Sequence, residues 1–169
     1  MSQLLKCSFD KAYLEKAKLL FIESEDIARN EATEIFAVFF KKVLIARDCR
    51  EGLDVFVENR SEIDIILLDI NMPDSRGIEL LEEIRKIDWN IPVLILAAFD
   101  EVDILLKSIK YNITNYIVKP MQLNTTLKII SQLMEVKEQK RELARKDNEL
   151  KQFISILDSS NIICEMDLE

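Results

Sequence analysis

Short apolar runs alternate with amphipathic stretches through most of the chain. Five runs of strand length, rich in branched residues, lie at Leu19 to Ile22, Val43 to Ala46, Ile63 to Leu68, Ile91 to Ala98 and Tyr116 to Val118. Between them, apolar residues recur at helical spacing over roughly Glu25 to Phe40, Arg50 to Asn59, Ser75 to Ile87 and Glu101 to Tyr111. Runs that are apolar on successive residues are typical of strands covered on both faces. The pattern therefore predicts a doubly wound α/β sandwich with a parallel five-stranded sheet.

A different pattern begins at Asn124, where an extended C-terminal helix without glycine or proline is predicted to run to about Leu157. Apolar residues occupy every seventh place along it, as in the heptads of a coiled coil, at Val136, Leu143, Leu150 and Leu157. We therefore expect a parallel homodimer through this helix. Lys140 and Asp147 also fall on the seam, which weakens a coil while it fixes the register. A solvated single helix is the alternative.

These elements divide the chain into a central domain at about residues 18–137, whose fifth helix, at about 124–157, continues as the coiled coil. Residues 1–17 form an N-terminal extension, in which the segment DKAYLEKA is predicted to be a short helix capped by Asp10. Residues 158–169 are expected to be a linker or the start of a further domain.

Composition and charge argue against several classes of function. The 169 residues carry a net charge of -8 and no basic cluster interleaved with aromatics, so we expect no nucleic-acid binding. No apolar run approaches the roughly 20 residues of a membrane span, and the N-terminus lacks the pattern of a secretory signal, so we expect a cytoplasmic protein. The three cysteines are widely spaced and are expected to be reduced. Without histidine, any phosphohistidine donor must be another protein.

Candidate chemistry lies where the strands end, because ligands of a doubly wound sheet bind beyond the carboxyl ends of its strands. If the strand order is the flavodoxin-like 2-1-3-4-5, the first and third strands are neighbours and bring Glu23 beside Asp69. Lys119 then lies across the crevice. Two carboxylates in one site attract a hard divalent cation such as Mg²⁺, and Lys119 offers a charge for a phosphate. This arrangement suits Asp69 as a nucleophile that accepts a phosphoryl group.

Four segments resemble, in order and in spacing, the signature segments of the response-regulator receiver domains of bacterial two-component systems: KLLFIESE, IDIILLDINMPDSRGIELL, IPVLILAAFD and NYIVKP. The resemblance implies that Asp69 is the phospho-acceptor and Lys119 the phosphate-binding lysine. It further implies that Glu23 belongs to the metal site and that Asn71 is a metal ligand through its backbone carbonyl. The implied partner is a histidine kinase or phosphotransfer protein, and the implied role is regulatory rather than enzymatic. The bond between Lys119 and Pro120 is expected to be cis.

Two positions depart from the family pattern. Ser24 stands where the family has a second acidic metal ligand, which should weaken Mg²⁺ binding. Ala97 stands where the family has a threonine or serine whose hydroxyl bonds the phosphoryl group. Tyr116 does match the aromatic residue that swings inward on activation. The alternative function is therefore a degenerate receiver that acts as a phosphorylation-independent dimerisation or partner-binding module.

Other resemblances are weaker. A haloacid dehalogenase-like phosphatase would need a second acid two residues after the nucleophile, where Asn71 stands. A flavodoxin-like nucleotide binder would need a phosphate-cradling loop after the first strand, for which ESEDIARNE is a poor candidate. The tail FISILDSSNIICEMDLE resembles the opening of a PAS sensor domain, which implies that residues 158–169 begin a truncated PAS-like domain.

Overall fold

A parallel five-stranded sheet organises the first part of the chain, and its strand order, β2-β1-β3-β4-β5, is the predicted one. The computed structural model of the chain describes residues 9–73, 77–98 and 102–166, excepting the side chains of 102–105 and 159–166. The strands are β1 (Lys18–Ile22), β2 (Lys42–Ala46), β3 (Ile65–Asp69), β4 (Val93–Ala97) and β5 (Asn115–Val118). The helices are α1 (Lys11–Leu14), α2 (Asp26–Phe39), α3 (Cys49–Asn59), α4 (Gly77–Ile87), α5 (Val102–Ile109) and α6 (Leu123–Met166).

Apart from the C-terminal end of the last helix, the predicted elements are confirmed to within a few residues at their described ends. Two predicted helix starts, Ser75 and Glu101, lie outside the described residues. Cys49 is a buried thiol, whereas Cys7 and the side chain of Cys164 lie outside the described part. Among the described residues, no helix is both long enough and apolar enough to cross a membrane.

Two apolar layers cover the sheet, one on each face, because side chains alternate between the faces along each strand. Every residue of β3 and β4 is buried. Leu20, Ile22 and Ile66 join the layer that includes residues of α3 and α4. Their neighbours Leu19 and Phe21 join the layer that includes residues of α2 and α6. The central strands thus read as continuous apolar runs because both of their faces are covered.

The N-terminal extension belongs to the second of these layers. Asp10 caps α1 as predicted, since its Oδ1 accepts a hydrogen bond of 2.9 Å from the Ala12 amide. Leu14 is fully buried with residues of α2 and α6. The Phe9 and Phe39 rings meet edge to face with centroids 5.8 Å apart. Leu14 and Ala17 therefore belong to the core, and the partly buried Phe9 packs against it, so the extension enlarges the core beyond the five strand–helix units.

A buried arginine, which the sequence pattern did not predict, ties two loops together. Arg85 on α4 donates from Nε to the Tyr111 carbonyl at 2.7 Å and from Nη2 to the Asn112 carbonyl at 3.0 Å. Its Nη1 donates to the Ile91 carbonyl at 2.8 Å. Asn112 has φ of 52°, in the left-handed region that asparagine tolerates. The arginine satisfies carbonyls that have no strand or helix partner, so its burial is compensated.

The last helix differs from its prediction at one end. It begins at Leu123, close to the predicted Asn124, but it continues through residues 158–166 to Met166 instead of ending near Leu157. A linker or the start of a further domain at residues 158–169 stays a prediction, and residues 167–169 lie outside the described part. Residues 158–166 contain no glycine or proline, so nothing in them breaks a helix. From residue 135 onward the helix belongs to a second unit, in which the side chains of 141–158 are all exposed.

Replacing Leu14 with alanine should lower the free energy of unfolding by about 2–5 kcal/mol, because the substitution leaves a cavity in the core beneath α1. The matched control is Leu106→Ala on α5, where the side chain is 61% exposed and the expected change is within about 0.5 kcal/mol. Urea unfolding followed by circular dichroism measures both. Equal effects at the two positions would show that the N-terminal extension does not stabilise the domain.

Candidate functional site

Three charged side chains converge at the carboxyl edge of the sheet. Glu23 directly follows β1, Asp69 is the last residue of β3, and Lys119 directly follows β5. Lys119 Nζ lies 2.8 Å from Asp69 Oδ2 and 3.1 Å from Glu23 Oε2. The predicted convergence is therefore confirmed, and it follows from the pairing of β1 with β3 in the middle of the sheet. The chemical roles assigned to these residues remain predictions.

Backbone amides hold the other oxygen of each carboxylate. The Glu25 amide donates to Glu23 Oε1 at 3.0 Å, and the Asn71 amide donates to Asp69 Oδ1 at 3.1 Å. Each carboxylate is thus bound on one oxygen by the amide two residues further along its own loop and on the other by Lys119. Such pairs of fixed contacts orient the acids before any ligand binds.

Burial decides the electrostatics of the site. Glu23 and Asp69 are each only 2% exposed. Burial, together with the nearby charge of Glu23, raises the pKa of Asp69 to about 6 despite the opposing hydrogen bond from Lys119. For Lys119, burial disfavours the charged form, but the hydrogen bonds and charges of Asp69 and Glu23 outweigh it and raise the pKa. The lysine therefore stays cationic while Asp69 titrates close to neutral pH.

The residues predicted to hold a divalent cation fit that purpose. Glu23 and Asp69 already share one cationic group, and Mg²⁺ is usually held by one or two carboxylates with several waters. The Asn71 carbonyl was predicted as a further ligand, and Asn71 itself is exposed beside Asp69. Ser24 is half-buried and brings no carboxylate. In the described part of the chain, no cluster of three or more acidic, histidine or cysteine ligands occurs.

The two predicted switch residues differ in their exposure to solvent. Ala97 is completely buried at the end of β4, in the layer that includes residues of α3 and α4. Tyr116 on β5 is 53% exposed. The structure thus places the alanine at the carboxyl edge of the sheet and leaves the tyrosine largely in solvent. The Lys119 to Pro120 bond is cis, as predicted.

A further residue near the site was not predicted from the sequence. Arg29, on the first turns of α2, donates from Nη1 to the carbonyls of Glu23 and Ser24 at 2.9 and 3.2 Å. Its Nη2 forms an ion pair with Asp26. A single arginine in a helical stretch gives no sequence pattern from which this contact could be predicted, because its hydrogen bonds run to backbone atoms of the preceding loop.

A cavity of about 580 Å³ opens beside the site. Glu23 and Lys119 lie on its wall, Glu25 and Glu31 add two further carboxylates, and the remaining lining is mostly apolar, with Phe21, Ala32, Ile35, Leu96, Met121 and Leu123. The cavity therefore reaches Glu23 and Lys119 from the side of α2 and of the loop between β5 and α6, whereas Asp69 does not line it.

Comparison with known proteins gives one consistent result. The family model described as "Response regulator receiver domain" matches residues 19–131. The chain is 26% identical over 126 residues to the regulatory protein AtoC of Escherichia coli, covering 75% of this chain and 27% of AtoC. It is 32% identical over 105 residues to the transcriptional regulatory protein CitT of Halalkalibacterium halodurans, covering 62% of this chain and 44% of CitT. The chain thus spans less than half the length of either relative.

Solved structures agree with the family match. A response regulator receiver domain protein from Clostridium thermocellum is 27% identical, with a TM-score of 0.64 over 76% of this chain and 98% of that one. A CheX–CheY–BeF3–Mg²⁺ complex from Borrelia burgdorferi is 26% identical, with a TM-score of 0.61 over 71% of this chain and 88% of that one. The second structure contains magnesium and a beryllofluoride group.

Replacing Asp69 with asparagine should stabilise the protein at pH 7 in the presence of EDTA by roughly 3 kcal/mol. The pKa of Asp69 rises from 3.8 to about 6 in the folded protein, so the folded state binds this proton more tightly than the unfolded state. The wild type therefore loses stability as the pH rises through this window, whereas asparagine does not titrate. The advantage of the variant should be small at pH 4 and full above pH 6.

Urea unfolding at several pH values measures this difference. Asp54→Asn, which removes an exposed carboxylate from α3, is the matched control and should show no such advantage. A wild type that gained stability over Asp69→Asn as the pH rose would contradict the electrostatic account of the site.

Proposed function

We propose that this chain, which belongs to the family of response regulator receiver domains, accepts a phosphoryl group on Asp69 from a histidine kinase or phosphotransfer protein. The observation that carries the proposal is the contact of one lysine ammonium with two buried carboxylates at the carboxyl edge of the sheet. Asp69 is the acceptor, Lys119 binds the phosphoryl group, and Glu23, Asp69 and the Asn71 carbonyl would hold the metal. The resulting change is relayed through a dimeric C-terminal helix.

The transfer joins an oxygen of ionised Asp69 to phosphorus and breaks the bond from phosphorus to the donor imidazole nitrogen. The Asn71 amide and Lys119 orient the carboxylate for attack, and the ammonium of Lys119 then has a phosphoryl oxygen as its partner. When Mg²⁺ is bound, it supplies positive charge beside the transferred group. Because Ser24 adds no carboxylate, we expect Mg²⁺ to bind more weakly here than at a site with three acids.

A protein donor is supported by the surface around the site. Asp69 is 2% exposed, so a donor must approach closely over the rim of the site. Ile27 and Ile35 on α2 are exposed apolar residues, and Ile35 also lines the cavity beside Glu23. Apolar surface of this kind favours contact with a partner protein over a freely diffusing donor.

The relay is supported by the short distance along the chain from the site to the last helix. Lys119 precedes the first residue of α6, Leu123, by only one short loop. Phosphorylation adds about -1.5 to -2 charge units, which would change the partners of Lys119. Pairing of two receivers is supported by exposed apolar side chains on α5 and β5, namely Leu106, Ile109, Tyr116 and Val118.

The alternative is a degenerate receiver that binds partners or dimerises without phosphorylation, and Ser24 and Ala97 favour it. In either case we propose a regulatory cytoplasmic domain, with no catalysis beyond its own phosphorylation and dephosphorylation. We further propose that residues 158–169 begin a truncated PAS-like domain, of which residues 158–166 continue α6.

Incubation with acetyl phosphate and Mg²⁺ should add the mass of one phosphoryl group to the wild type, measured on the intact protein. Asp69→Asn should show no addition, because the nucleophile is lost, and Lys119→Met should react far more slowly. Asp54→Asn should react like the wild type. An unmodified wild type that still dimerises would overturn phosphorylation and leave the degenerate receiver.

Replacing Leu150 with alanine should shift the protein towards monomer in sedimentation experiments, because it removes an apolar residue from the seam of α6. Asp147→Leu should shift it towards dimer, because a charged seam position becomes apolar. Glu149→Ala is the control, since Glu149 pairs with Arg145 of its own helix at 3.5 Å, away from the seam. A wild type that is monomeric at every concentration would exclude the coiled coil.

A further inference from the structure

We infer that Arg29 is a positioning residue of the phospho-acceptor site. Its guanidinium holds the loop between β1 and α2. The carboxylate of Glu23 therefore stays directed at Asp69 and at a metal cation bound between the two acids. The inference rests on the proposed function, because it concerns metal binding and phosphorylation at Asp69. Arg29 itself touches neither Asp69 nor Lys119 in the contacts described above, so its influence must pass through the loop.

The contacts of Arg29 bind both ends of the loop to the helix that follows. The guanidinium is largely buried, with a side-chain exposure of 13%. Nη1 donates to the carbonyls of Glu23 and Ser24, at 2.9 and 3.2 Å. The amide of Arg29 donates to the Glu25 carbonyl at 2.9 Å. The side chain thus satisfies the carbonyls of Glu23 and Ser24, which need such partners when removed from water, while the bond to Glu25 is an ordinary helical bond of the backbone.

Glu23 is held at every polar group by this arrangement. Its amide donates to the Ala46 carbonyl at 3.1 Å, which continues the ladder between β1 and β2. Its carbonyl accepts from Arg29, and its carboxylate accepts from the Glu25 amide and from Lys119. The Glu25 amide reaches the carboxylate only while the loop keeps this conformation. Loss of the Arg29 bonds should therefore release the Glu25 amide and with it the orientation of Glu23.

The orientation of Glu23 matters more here than in a site with acidic residues at both loop positions, 23 and 24. Ser24 supplies no carboxylate, so Glu23 is the acid of this loop that contacts Lys119. Cation binding then depends on the placement of two carboxylates, one of which is set by the loop. Because Asp26 pairs with the guanidinium, the effect of Arg29 is expected to be geometric rather than a long-range effect of its charge.

The experiment uses the full chain in five forms: wild type, Arg29→Gln, Arg29→Lys, Asp26→Asn and Arg47→Gln. Arg47 is the matched control, since it also pairs with an acid of the following helix, Glu51 at 3.6 Å, but lies on the loop after β2. We measure the Mg²⁺ concentration for half-maximal phosphorylation by acetyl phosphate, and separately the rate at saturating Mg²⁺.

For Arg29→Gln, the half-saturating Mg²⁺ concentration should rise about tenfold, as is typical when a residue that orients a metal ligand is lost. The rate at saturating Mg²⁺ should change much less. Arg29→Lys should recover part of the loss, because an ammonium can reach one carbonyl. Asp26→Asn and Arg47→Gln should stay close to the wild type. A fall in saturating rate with unchanged Mg²⁺ dependence would overturn the positioning role.

Hydrogen exchange of the Glu25 amide provides a readout without phosphorylation or metal. It should be about tenfold faster in Arg29→Gln than in the wild type, relative to amides of β3, and unchanged in Arg47→Gln. Unchanged exchange at Glu25 would also overturn the inference. If the wild type itself takes no phosphoryl group, the proposed function fails, whereas Glu25 exchange still decides whether Arg29 orders the loop.

Discussion

The ammonium of Lys119 lies between two buried carboxylates, and the site depends on this contact. Glu23 and Asp69 would repel each other if both were ionised, because both side chains are buried away from water. Burial also disfavours the charge on Asp69. Lys119 offsets that repulsion at 2.8 and 3.1 Å, but it does not remove the cost, since the pKa of Asp69 stays raised. Asp69 is therefore an acid whose ionised form a further cation in the site would stabilise.

The sheet makes that contact possible. The order of the strands places the ends of β1 and β3 side by side, while β5 at the sheet edge brings in the lysine. Burial of every residue of β3 and β4 fixes the middle of the sheet, including Asp69 at the end of β3. Two arginines then hold the irregular segments: the buried Arg85 binds the loops before β4 and β5, and the half-buried Arg29 binds the loop that carries Glu23. Rigid strands and fastened loops together preorganise the acids.

The C-terminal helix differs from the sheet in how much of its surface is buried. Within residues 123–134 it carries side chains that are buried with the core, whereas over residues 141–158 its side chains are exposed. An exposed helix with apolar residues at every seventh position has little to stabilise it alone, and the proposed pairing with a second copy of the helix would cover those residues. Lys140 and Asp147 would weaken the proposed seam.

The sequence by itself determined the five strands, their order, the cap at Asp10 and the meeting of Glu23, Asp69 and Lys119. These follow from local periodicity and from the rules of parallel sheets, and the motifs around Asp69 and Lys119 added the family and the cis bond. The predicted end of α6 near Leu157 came too early, because residues 158–166 contain no glycine or proline that would stop a helix. Only the tertiary structure decided the raised pKa of Asp69, the burial of Leu14 and the contacts of Arg29 and Arg85. Each depends on atoms distant in sequence or on backbone carbonyls, which leave no periodic or compositional signal along the chain.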